Sequence, residues 1–187
     1  MIRLTPFCRS SALAVLSLAI FLAGCASSAS SEGMTIGARE LAQLSNGEDT
    51  GTWTGSVYVR AVTGEAAAPD LGSVNVSAQE FREALEASLR TADVLHSADD
   101  AQWALEAELL ELEYPGGAMD VPASLTVRYR AFAREASKPS FDHTIRTGYM
   151  VPASATFSGV ERVRLAVEGA ARDNIVVLLR DLAAELE

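Results

Sequence analysis

Cysteine, histidine and lysine are all scarce in this sequence. Its 187 residues hold two cysteines, Cys8 and Cys25, two histidines, His96 and His143, and one lysine, Lys138. No CxxC pair exists, which excludes dithiol redox chemistry and a zinc–thiolate site. There is no GxSxG elbow, no HExxH pair, no P-loop and no glycine-rich dinucleotide fingerprint. No apolar run is long enough to cross a bilayer: residues 12–22, ALAVLSLAIFL, make 11 residues. That run is about 16 Å of helix, against the roughly 20 residues a hydrocarbon core requires. The lysine scarcity reads as genomic composition, because arginine carries the positive charge.

The short apolar run has the proportions of a secretory signal. Arg3 and Arg9 precede it with no acidic residue, and the motif Leu22-Ala23-Gly24-Cys25 closes it. A branched apolar residue, two small ones and a cysteine resemble the lipobox of bacterial lipoproteins. Small residues let a peptidase approach the backbone, and the cysteine sulfur accepts a diacylglyceryl group. The resemblance implies that residues 1–24 are a signal peptide and that Cys25 becomes the acylated first residue. Two or more acyl chains give stable anchoring, at about 0.8 kcal/mol per buried methylene. Ala26, where an aspartate would favour retention at the inner membrane, implies export to the outer membrane with the domain facing the periplasm. Cys8 is discarded with the signal, so no free thiol is expected in the mature chain.

Cleavage removes two of the 15 basic side chains and none of the 25 acidic ones, leaving a mature charge of −12. That balance argues against a nucleic-acid partner and against a polybasic membrane patch. Residues 25–52 are expected to be the lipidated cysteine and a flexible tether rich in serine and glycine, with a mean reach of roughly 30 Å. Within it ARELAQL is expected to form at most one or two helical turns.

A single periplasmic domain is expected over residues 53–187. SVYVRAV alternates as a strand, with Tyr58, Arg60 and Val62 on one face. Ser77 and Glu80 form a capping box before a helix whose stripe includes Phe81, Leu85 and Leu89. WALEAELLELEY, SLTVRYRAFAR and FDHTIRTGY read as three further strands, the first with a bulge at Leu109-Leu110. Ser158 and Glu161 cap a long final helix with a stripe from Val160 through Ile175, Leu178 and Leu182. Gly169 is expected to allow close approach to the sheet. The order β-α-β-β-β-α predicts an α+β two-layer sandwich, with two helices on one face of a mainly antiparallel four-stranded sheet.

The residues point to binding over catalysis, and no cofactor or metal is implied. His143 lies on the strand face shared with Phe141 and Ile145, where a satisfied core or edge histidine is the simpler reading. If the second and third strands pair, Glu106 and Glu108 face Arg128 and Arg130 across the ladder. Phe132 then joins Tyr58, Arg60, Arg128 and Arg130 on the outer face, an aromatic–arginine mixture typical of interface centres. These five are the candidate partner-binding residues.

WTGSVYVRAV, VSAQEFREALEASLRTADVL and ERVRLAVEGAARDNIVVLLRDL resemble small proteobacterial lipoproteins of unassigned activity. In fold order the chain is similar to the lipopolysaccharide-assembly lipoprotein and the ABC-transport auxiliary lipoproteins. That resemblance implies a non-enzymatic accessory subunit with an envelope protein or lipid as partner. The alternatives are an envelope hydrolase or acyltransferase and a self-assembling structural lipoprotein.

Overall fold

The computed structural model describes residues 28–45, 55–67, 74–115 and 119–186. The signal segment, Cys25 and Trp53 lie outside them. In chain order the elements are α1 (Ser31–Met34), α2 (Ala38–Ser45), β1 (Val57–Thr63), β2 (Glu65–Ala67), β3 (Asn75–Ser77), α3 (Ala78–Thr91), β4 (Trp103–Glu113), β5 (Val121–Ala133), β6 (Phe141–Val151) and α4 (Gly159–Glu185).

Four strands form one sheet in the order β1-β4-β5-β6. The hairpins make β4, β5 and β6 antiparallel, whereas β1 joins β4 in parallel because α3 intervenes between them. The fold is therefore the expected α+β sandwich with a mostly antiparallel sheet. Glu106 stands opposite Arg130 and Glu108 opposite Arg128, as the charge pattern predicts. The expected bulge lies between Leu109 and Glu111 and leaves Leu110 exposed. A second bulge, not foreseen, occurs at Arg60 in β1. It reverses the alternation, so Val62 packs against the core and does not share the face of Tyr58 and Arg60.

The region between β1 and α3, read in sequence as a loop, contains a small antiparallel pair, β2 with β3. Gly64 makes the turn into β2 at φ +84, and a side chain there would strike the Leu109 carbonyl. Only glycine meets both demands.

Each long helix starts where its cap was expected. The Ser77 hydroxyl accepts from the Glu80 N–H at 3.2 Å, and that of Ser158 from the Glu161 N–H at 3.3 Å. Phe81, Leu85 and Leu89 of α3 and Ile175, Leu178 and Leu182 of α4 are fully buried against Leu105, Leu125, Val127 and Tyr129 of the sheet. Val160, expected in the stripe, is exposed, because the first turn of α4 projects past the sheet. Gly169 lets α4 close on β6, since any side chain there would collide with the Tyr149 ring.

One polar clasp crosses this core. The buried Tyr129 hydroxyl donates to Asn174 Oδ1 at 2.8 Å, and Asn174 Nδ2 donates to the Ile145 carbonyl at 3.0 Å and to Thr147 Oγ1 at 3.1 Å. Thr147 in turn donates to the Ala170 carbonyl at 2.7 Å. Burial pushes the Tyr129 phenol well above its ordinary range, so it stays a neutral donor.

The N-terminal segment departs most from expectation. Residues 28–45 were read as flexible tether, yet Ala29, Met34 and Ile36 are buried in the core between α3 and α4. The Ala29 N–H donates to the Asn75 carbonyl at 3.1 Å, extending the β2–β3 pair. The Ile36 N–H donates to Ser88 Oγ, itself fully buried, at 3.1 Å. Glu168, 2 % exposed, receives the Ser30 N–H at 2.8 Å, the Ser30 hydroxyl at 2.7 Å and Arg164 Nη1 at 2.6 Å. A turn this short has no stability of its own. Apolar docking and the Glu168 carboxylate supply it, a long-range effect that serine-rich composition conceals.

Candidate functional site

The face of the sheet away from the helices carries the candidate residues. Alternation along β5 sends Leu125, Val127, Tyr129 and Ala131 inward and Arg128 and Arg130 outward, with Phe132 following them. Across the ladder Ala104 lies between Tyr58 and Phe132, its partner on either side. The small alanine leaves a depression bordered by Tyr58, Arg60, Gln102, Arg134 and Glu135, about 240 Å³ in volume.

Arg60 governs this end of the face. The β1 bulge aims its guanidinium over the Phe132 ring, 4.2 Å from the centroid. Its Nε donates to Glu106 Oε1 at 2.9 Å, and Arg130 Nη2 reaches Glu106 Oε2 at 3.2 Å. One carboxylate thus serves two guanidiniums, and a cation shields an aromatic ring. Phe132, expected to be exposed, is only 8 % exposed on account of this cover. The expectation is corrected in that respect alone: the ring is on the outer face but lies under Arg60.

Farther along, Arg128 makes two hydrogen bonds to Asp142, at 2.8 and 2.7 Å. The guanidinium holds the Asp142 carboxyl below the usual aspartate range, while Asp142 raises Arg128. Arg146 pairs with Glu113 across β5. The outer face is thus a ladder of paired charges that thins, at the Tyr58–Phe132 row, into an aromatic and alanine-lined hollow.

The histidines stand apart from it. His143 lies on the helix side, stacked on Phe141 with centroids 4.3 Å apart, its Nε2 3.2 Å from Glu185 Oε1. His96 is exposed in the segment after α3, its N–H donating to the Val57 carbonyl at 2.8 Å. Among the described residues no group of three or more histidine, cysteine or acidic side chains is placed to hold a metal. The hollow offers arginine, aromatic and amide groups beside the Glu135 carboxylate.

The five residues singled out in the sequence do lie on the outer face, but the shared role of Glu106 between Arg60 and Arg130 and the place of Ala104 between Tyr58 and Phe132 were not foreseen. The bulge at Arg60 decides both. The buried Glu168 was also missed, although an acid beside Val167 and Gly169 in an apolar stripe marks it.

No family model matches the chain, and no curated protein matches it significantly. Among solved structures it is similar to a Xanthomonas campestris protein of the family model DUF330, with a TM-score of 0.55 and 10 % identity over 74 % of this chain and 89 % of that one. It is also similar to a hypothetical protein from Chlamydia trachomatis, with a TM-score of 0.52 and 15 % identity over 71 % and 98 % of the two chains. These identities show a common fold. A minor lipoprotein from Acinetobacter baumannii matches more loosely, with a TM-score of 0.43 and 14 % identity over 71 % and 94 %. A likeness at that level carries no argument about role. No helix among the described residues is long and apolar enough to cross a membrane.

Proposed function

We propose that this chain is an outer-membrane lipoprotein, acylated at Cys25 and facing the periplasm, that acts as a non-enzymatic binding subunit in envelope assembly or transport. The sequence resemblance to the lipopolysaccharide-assembly and ABC-transport auxiliary lipoproteins supports a role of that class. The observation that carries the binding reading is the Arg60–Phe132 stack with its shared Glu106, beside a hollow that holds no nucleophile–base pair. Aromatic and arginine side chains held ready by neighbours lose little freedom on binding. A protein or lipid partner with an acidic or planar group fits the surface of Tyr58, Arg60, Arg128 and Arg130 over Phe132.

The test of the anchor is mass spectrometry of the N-terminal peptide from native membranes, with density-gradient separation of the two membranes. The expected result is an acylated cysteine at position 25, in the outer-membrane fraction. A mature chain starting elsewhere without lipid would contradict the assignment, and lipidated protein in the inner-membrane fraction would correct its location.

A further inference from the structure

The packing of residues 28–36 leaves only a short lead between Cys25 and the fold, which bears on how the domain is oriented if Cys25 is acylated. Ala29 is already bonded to Asn75, so four residue steps separate Cys25 from the fold. Fully extended, they span at most about 14 Å. The chain runs from Ala29, beside β3 and the start of α3, to Ile36 beside Ser88, deeper along α3. The described chain thus enters the fold beside the end of the molecule at which α3 begins, and a lead of four residues keeps its anchor point within about 14 Å of Ala29.

The same end gathers the start of α4, the start of β5 and the finish of β4 and β6, because β5 runs against both strands. It also carries the exposed large apolar side chains of the described residues: Leu110, Met119, Tyr149, Met150, Phe157 and Val160. Met150 stands opposite Pro122 across the β5–β6 ladder. Asp120 accepts the Ala153 N–H at 2.9 Å, and Arg162 donates to the Ala153 and Thr156 carbonyls at 3.1 and 3.3 Å. Those bonds hold the loop so that Phe157, fully exposed, and Met119, 80 % exposed, stay outward. Singly scattered surface apolar residues are ordinary. Their collection at the end tied by the short lead to Cys25 is not, and large exposed apolar groups mark a contact surface.

We infer that this end of the domain rests on the lipid surface, with Phe157, Met119 and Met150 entering the headgroup–acyl boundary. The inference rests on the proposed acylation of Cys25. Its consequence is orientation: β5 spans 13 residues, about 40 Å of strand. The Tyr58–Phe132 hollow, near the far end of β5, is then presented away from the membrane.

The test uses the full lipidated protein in vesicles of phosphatidylethanolamine and phosphatidylglycerol. Cys25 is consumed by its thioether, so single cysteines introduced as Phe157→Cys, Met119→Cys, Ala98→Cys or Lys138→Cys can each carry one environment-sensitive fluorophore. The expected result is a blue shift, with at least twofold quenching by spin-labelled lipid, at positions 157 and 119 and neither at 98 and 138. Inserting about 20 glycine and serine residues after Ala26 should reduce that quenching, since their mean reach is roughly 25 Å. Equal quenching at both ends, or none at 157 and 119 in protein whose Cys25 is acylated by mass, overturns the orientation alone. A blue shift that grows with protein concentration without lipid quenching assigns the patch to a second copy and overturns it too. An unacylated Cys25 removes the anchor reading and the orientation together.

Discussion

Tyr129 and Phe132 stand three residues apart on β5, on opposite faces of the sheet, and both are buried. Tyr129 is covered by α4 and tied to Asn174, within a core of aliphatic side chains. Phe132 is covered by Arg60, a surface side chain bonded to Glu106. The inner burial belongs to the main core, and the outer one lies outside it under a charged side chain. In the proposed role a partner with an acidic group would meet Arg60 where it stands, already held over the ring and against Glu106.

The comparison can be broken first from the inside. Leu178→Ala should cost about 2–5 kcal/mol through the cavity it leaves in the core. Asn174→Ala should cost about 1–3 kcal/mol, because the Tyr129 hydroxyl and the Thr147 side chain lose a buried partner. Both losses are read from urea denaturation, and the co-purifying set should be unchanged wherever the variant remains folded.

On the outer side, Phe132→Ala should cost less than Leu178→Ala, about 1–2 kcal/mol, because the ring lies outside the main core and its outer cover is a charged side chain that can stay solvated. It should also weaken partner capture, which Leu178→Ala should not. An equal loss of stability in the two variants would erase the distinction between the faces.

A smaller effect lies in the Arg128–Asp142 pair. Because Arg128 lowers the Asp142 carboxyl in the folded state, this contribution is present above the ordinary aspartate value of 3.8. It is lost as pH falls through the lowered folded value. Asp142→Asn should therefore lower the melting temperature slightly at pH 7 and by less at pH 2. The difference at pH 7 should shrink in high salt, since both side chains are more than a third exposed. A difference that persists unchanged at pH 2 would show that the aspartate acts through packing.

Much of this architecture was legible in the sequence, and the failures have physical causes. Period-two alternation with two serine caps located the large sheet and both long helices, because those patterns are local. The register that sets Glu106 opposite Arg130 and Glu108 opposite Arg128 was readable from charge complementarity in two strands joined by a hairpin, although Arg128 makes its ion pair with Asp142. The burial of Met34 and Ile36 was not, because their stability comes from α3 and α4, far along the chain. Nor was the cover over Phe132, which depends on a one-residue bulge at Arg60 that composition does not announce. Of the five candidate residues only Tyr58 and Arg60 border the hollow, which the sequence did not announce.

The central claim is that the Tyr58–Phe132 end of the outer face binds a partner in the envelope. Its most direct test is a photo-crosslinking residue substituted at Tyr58 in the full lipidated protein, irradiated in native membranes, with one at Thr91 on α3 as the comparison. The account predicts a discrete adduct from position 58 that disappears with Arg60→Ala while the variant remains folded. Adducts identical from both positions, or an adduct at 58 indifferent to Arg60→Ala, would contradict it.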